Sequence, residues 1–139
     1  MDRKWLPTIS ELIDRLSIHQ LKEVLIPENK DKYAKEMKLM MHDINQIIDE
    51  DNITLSADFI RAIVVLSQIN AHIWYNESKV RRGESQDYSL LSLTHGLNGI
   101  RSGTMNYIQD LIGQIDRKDW KSDCIAAEFD DWKISLYEE

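Results

Sequence analysis

Residues 56–82, SADFIRAIVVLSQINAHIWYNESKVRR, decide the fold. Within them Phe59, Ile63, Leu66, Ile69 and Ile73 recur every three or four positions, the spacing that puts side chains on one face of a helix. Ala62, Val64 and Val65 widen that stripe, which predicts a central helix touching several neighbours. The β-branched run Ile63-Val64-Val65 would suit a strand in isolation, but the length of the segment and the periodicity on both sides of it favour helix. Gly83 follows as a left-handed terminator, and Lys79, Arg81 and Arg82 lie where cations complement the negative end of a helix dipole.

Working outward, the same grammar repeats. Prolines occur only at positions 7 and 27, and four of the five glycines fall between positions 96 and 113, so long helices are expected elsewhere. Thr8 and Glu11 have the Thr-x-x-Glu spacing of a capping box, and Ile9, Leu12, Ile13, Leu16, Leu21, Val24 and Leu25 follow at helical spacing until Pro27. A second helix runs from about residue 29 or 31 to 49. Tyr33, Met37, Met40, Ile44 and Ile47 form its stripe, Lys30, Lys32, Lys35 and Lys38 its wet side, and the cluster Asp49-Glu50-Asp51-Asn52 its end. Ser56 and Asp58 then cap the third helix.

A fourth helix is expected over residues 89–115, although it carries Gly96, Gly99, Gly103 and Gly113. Each interior glycine costs about 1 kcal/mol relative to alanine, so four need a reason. Gly96, Gly99 and Gly103 share one face, where a neighbouring helix backbone can approach closely; the competing reading is a break near His95-Gly96. A final amphipathic helix is expected from about residue 122, with Ile125, Phe129, Trp132 and Leu136 on its apolar face. The fold expectation is therefore an all-α, single-domain bundle of four to five helices spanning residues 1–139.

The chain has 139 residues, 24 of them acidic and 17 basic, and a net charge of −7. That length and 42% hydrophobic content are enough to fill one core. An acidic balance disfavours nucleic acid as a partner, because phosphate neutralisation needs clustered Lys and Arg. No apolar run approaches the roughly 18–20 residues that span a bilayer, Met1-Asp2-Arg3-Lys4-Trp5 opens no signal peptide, and Cys124 has no partner for a disulfide. A soluble, cytoplasmic protein with no membrane partner is expected. Residues 120–139 hold six carboxylates against two lysines, a balance of −4, so more than half of the net charge sits in the last twenty positions.

Polar residues in line with core residues are the most informative feature for function. Asn70 and Glu77 continue the series Ile63, Leu66, Ile73 and Val80; Arg101 continues Thr94, Leu97, Thr104, Ile108 and Leu111, with His95 and Asn98 flanking. Buried Glu and Arg are costly unless paired, so Glu77 and Arg101 are candidates for an ion pair between helices three and four. The alternative is a pocket. In it Arg81, His95 and Arg101 would meet an anionic group, Trp74 would stack on a planar one, and Asn70, Glu77 and Asn98 would supply polar contacts. This inventory fits a nucleotide or sugar nucleotide bound without catalysis, with no cofactor, no metal and no catalytic residue assigned, in a protein expected to form a dimer.

Other chemistries are thinner. His95-Gly96-Leu97-Asn98-Gly99-Ile100-Arg101-Ser102-Gly103-Thr104 lacks the lysine and preceding strand of a phosphate-binding loop. His19, His42, His72 and His95 are scattered, and no Glu-x-x-Glu set shares a helix face for magnesium. Cys124 reads as a small core residue rather than a nucleophile. Two further functions stay open: an interaction adaptor using the acidic, aromatic C-terminal helix, and an enzyme acting on a nucleotide or sugar.

The segment Ile9-Ser10-Glu11-Leu12-Ile13-Asp14-Arg15-Leu16-Ser17-Ile18 resembles the opening of a family of small helical proteins encoded near lipopolysaccharide and capsule glycosyltransferase genes and in phages. The family continues with an Asn, then a Trp and a Glu. Here Gln20 stands near the Asn position and no Trp follows, although Asn70, Trp74 and Glu77 occur in that order after Leu66-Ser67. The resemblance covers about ten residues, implies a helical fold in a nucleotide or sugar-nucleotide setting and supplies no catalytic residue; in a mobile-element setting, such a binding protein is expected to act by sequestering a host nucleotide signal.

Overall fold

A computed structural model describes residues 4–81, 83, 88–114, 117 and 134–137. The fold is all-α. Among the described residues there are four α-helices, α1 (Ile9–Leu25), α2 (Lys30–Glu50), α3 (Ala57–Arg81) and α4 (Tyr88–Leu111), with short 3-10 turns at Pro27–Asn29 and Ser135–Tyr137 and no strand. They belong to two compact units, Met1–Leu55 and Ser56–Glu139. No helix among the described residues is long and apolar enough to cross a membrane.

In the first unit, α1 starts where Thr8 Oγ1 accepts the Glu11 backbone N–H at 3.2 Å. The return bond of a full capping box, from the Thr8 N–H to the Glu11 carboxylate, is not among the hydrogen bonds of the described residues. Pro27 opens the 3-10 turn that redirects the chain into α2, because its ring cannot continue α1. The end of α2 is set by Asn52, which adopts the left-handed conformation (φ 52°) while Ile53 N–H bonds back to the Ile48 carbonyl at 3.0 Å.

The two helices run antiparallel, as two contacts establish. His19 Nε2 lies 2.6 Å from Glu36 Oε2, while one helical turn later Lys22 Nζ sits over the Tyr33 ring, 5.8 Å from its centre. Advancing three residues on α1 thus retreats three on α2. His19 also meets the Tyr33 ring edge-on, at 5.8 Å and 88°. Ile9, Leu12 and Ile13 are buried at the start of α1, and Met37 is buried on α2. Burial fades along α1, leaving Val24 and Leu25 exposed although they keep the periodicity.

The second unit is a helix hairpin whose connection spans only residues 82–87. Ser56 Oγ accepts the Phe59 N–H at 3.2 Å to cap α3, and Gly83 ends it at φ 69° with its N–H on the Val80 carbonyl. Phe59, Ala62, Leu66, Ile69 and Ile73 from α3, and Leu97, Ile100 and Ile108 from α4, are buried. The α3 stripe is narrower than its sequence predicts: Val64 is 61% exposed. Among the described residues of this unit, α3 packs on α4 and on the Ser135–Tyr137 turn, and a helix facing one long neighbour needs only one buried side.

Helix α4 is continuous through Gly96, Gly99 and Gly103, with Gly96 and Gly99 buried, so no break occurs at His95. Gly113 is not interior to it. Its φ of 78° terminates the helix, and Gln114 N–H reaches the Gln109 carbonyl at 2.9 Å while Gly113 N–H reaches Asp110 at 3.1 Å, the paired bonds of a glycine-terminated helix end. Most of the expected C-terminal helix lies outside the described residues. Its Leu136 is buried, and it sits in the 3-10 turn, where Ser135 Oγ accepts from Arg61.

Two core positions have opposite expected responses. Leu66 is fully buried, so Leu66→Ala should destabilise by about 2–5 kcal/mol. Asn76 is buried with its amide nitrogen unpartnered, a desolvated donor that costs about 1–3 kcal/mol. Asn76→Leu should therefore raise the unfolding midpoint, and urea denaturation of the two variants beside the parent protein measures both.

Candidate functional site

Of the sequence-derived candidates, the α3–α4 hairpin gathers four around one open groove of about 290 Å³. Glu77, Val80 and Arg81 line it from α3, and Thr94, His95 and Asn98 from α4. Helix geometry explains the grouping. Glu77, Val80 and Arg81 stand at i, i+3 and i+4, as do Thr94 with Asn98 one turn on, so each set occupies one face near the connection between the helices.

The polar groups are arranged in a relay. Asn98 Nδ2 donates to the Thr94 carbonyl at 3.1 Å, which fixes the amide plane, and Arg101 Nη1 donates to Asn98 Oδ1 at 3.3 Å. Arg101 is half-buried and stands one turn from the groove, acting on it through Asn98. Glu77 does not pair with Arg101. Its carboxylate accepts from Arg81 Nη2 at 3.3 Å instead, because i and i+4 on one helix are already adjacent whereas an α3–α4 pair depends on register.

That pair is weakly held. The Arg81 side chain is 75% exposed and Glu77 46%, and exposed i,i+4 pairs contribute only about 0.3–0.5 kcal/mol. An incoming anion can therefore take Arg81 from Glu77 at little cost. His95 is exposed at the groove edge and presents a ring nitrogen donor. Together these groups can meet an anionic centre with Arg81 and His95, and orient a hydroxyl with Glu77 and the Thr94 side chain.

Asn70 and Trp74 do not line this groove. Asn70 is buried two turns before Glu77 and Trp74 is half-buried. Val80 and Thr94 complete the lining; both were visible in the sequence as members of the core-facing series, where nothing marked them as groove residues. Among the described residues no three His, Cys, Asp or Glu side chains are grouped to hold a metal ion.

Arg101→Ala removes the donor that holds Asn98 Oδ1. The expected loss is about 0.5–1.5 kcal/mol of stability, with larger chemical-shift changes at Thr94 and Asn98 than elsewhere in α4, as recorded by NMR. No family model matches the sequence, and no curated protein or solved structure matches it.

Proposed function

We propose that the second unit binds a small anionic ligand of nucleotide or sugar-nucleotide type, without catalysis, in the groove between α3 and α4. The observation that carries the reading is the convergence of Glu77, Arg81, His95 and Asn98 on one groove from two helices. Small-molecule pockets run from about 300 to 1,000 Å³, so a groove of about 290 Å³ favours a mononucleotide or the phosphosugar part of a larger ligand. Arg81 and His95 take the phosphate in this reading, and Glu77 accepts from a sugar hydroxyl. Arg101 positions Asn98 rather than meeting the ligand. In the setting that the N-terminal resemblance implies, such a protein would act by sequestering a nucleotide signal in the cytoplasm of a phage host, as a dimer.

Thermal-shift measurements across nucleoside monophosphates, diphosphates and nucleotide sugars test the reading. At least one ligand should raise the melting temperature of the parent protein, and Arg81→Ala should abolish that rise while leaving the ligand-free melting temperature within a degree or two, since its ion pair contributes little. Equal shifts in the parent and in Arg81→Ala would refute it. Native mass spectrometry of the same samples reports ligand stoichiometry and subunit number together.

A further inference from the structure

The first unit holds a groove of its own, between α1 and α2, with a volume of about 570 Å³. Its two rims differ in charge. Arg15 and Lys22 come from α1, Glu36 and Asp43 from α2, and Ile18, Leu39 and Met40 supply apolar lining. This face is short of cover. Of the 21 residues of α2 only Met37 is buried, and Leu39 is 70% exposed. Among the described residues of the first unit, the buried apolar side chains are Ile9, Leu12, Ile13 and Met37. An amphipathic helix draws most of its stability from burying its apolar face, and units below about 70–80 residues with so small a core commonly gain the rest by oligomerising.

Charge decides what can cover the groove. A ligand of one sign is repelled by one rim, whereas a second copy of the hairpin brings both signs. Two copies can meet face to face about either of two twofold axes lying in their interface. With the axis across the helices, α1 lies on α1 and the cationic rims oppose one another. With the axis parallel to the helices, α1 of each copy lies on α2 of the other, and the four helices alternate in direction as in an up-down bundle. Only the second arrangement sets unlike charges together. Heights within the hairpin then fix the partners. His19 stands level with Glu36 and Lys22 with Tyr33, so Arg15 is level with Met40. An axis parallel to the helices preserves those heights, which places Arg15 three residues from the partner's Asp43 and Lys22 three residues from the partner's Glu36. Both offsets are about 4.5 Å along the helix, within reach of long cationic side chains. His19 and His42 engage one oxygen of each carboxylate, Oε2 of Glu36 and Oδ1 of Asp43, and the second oxygen of each can accept from the other copy.

From this segregation of charge around an apolar floor, we propose that the α1–α2 groove is a self-association surface. It seats the same groove of a second copy and forms an antiparallel four-helix bundle. Ile18, Leu39 and Met40 of both copies form the new core, flanked by Arg15–Asp43 and Lys22–Glu36 pairs that the symmetry makes twice. With its 17 residues, α1 is about 25 Å long, and two helices side by side are about 20 Å wide. The two copies together therefore bury about 1,000 Å², the lower end for a specific interface, and association in the micromolar range follows. The surface shares no residue with the groove of the second unit and does not depend on a ligand there.

Sedimentation velocity of the full chain between about 1 and 200 µM tests the proposal, and dimer should accumulate across that range. Arg15→Glu and Asp43→Arg each set like charges against one another at both symmetric contacts, so each alone should weaken dimerisation about tenfold or more. An equimolar mixture of the two variants should dimerise as tightly as the parent, because the reversed charges again face unlike ones. A general surface effect of either substitution would not give that recovery. Leu39→Asp should hold the chain monomeric, while Arg81→Ala, in the other unit, leaves the dimer unchanged, so loss of ligand binding and loss of the dimer are separable. A parent chain that stays monomeric across the range, a dimer that withstands Leu39→Asp, or mixed variants that fail to associate would each overturn the proposal. Arg15, Leu39 and Asp43 are exposed, and circular dichroism checks that the variants keep the parent helicity.

Discussion

An unbroken α4 running through three glycines is the constraint on which the second unit depends. Glycines at 96, 99 and 103 cost the helix about 3 kcal/mol in total relative to alanine, and a free peptide of this sequence would break there. Burial of Leu97, Ile100 and Ile108 against the hairpin partner returns about 1.5–3 kcal/mol each, enough to hold the helix continuous. Continuity then sets the register. Thr94 and Asn98 keep one face with His95 beside them, and that face meets Glu77, Val80 and Arg81 at the groove; a break at His95 would have separated His95 from Asn98.

The first unit is ordered by a different interaction. A short His19–Glu36 contact between α1 and α2, reinforced by the edge of Tyr33, fixes the antiparallel register of the hairpin. The same register carries Lys22, one turn further along α1, over the face of the Tyr33 ring.

Helix boundaries were legible because they are written locally. Thr8, Pro27, Asn52, Ser56 and Gly83 each act within a turn of their own position, through a cap, a missing N–H or a left-handed φ. Gly113 shows the limit of that reading: the sequence pattern places it inside the fourth helix, and only its φ of 78° identifies it as the terminator. Val64 shows another. An apolar residue adjacent to a stripe reads as an extension of it, yet whether it is covered depends on how many partners the helix has, and Val64 is exposed. The candidate groove was partly legible: Glu77 continues an apolar series, His95 and Asn98 flank another, Arg81 is a cation near the end of its helix, and all four line one groove.

By itself, then, the sequence determined the all-α character, the positions of four helices and the residues that bound them, apart from the end of α4 at Gly113, because periodicity and capping are properties of contiguous chain. The tertiary structure alone decided that Glu77 pairs with Arg81 rather than Arg101, that Asn98 is held by Arg101, and that Glu36 is spent on His19. Each of those outcomes is a side-chain contact of 2.6–3.3 Å. Two helices can slide past one another by a turn without any change in their separate sequence patterns, and a slide of one turn, about 5.4 Å, would part His19 from Glu36 while leaving the pairs within α3 and α4 in place.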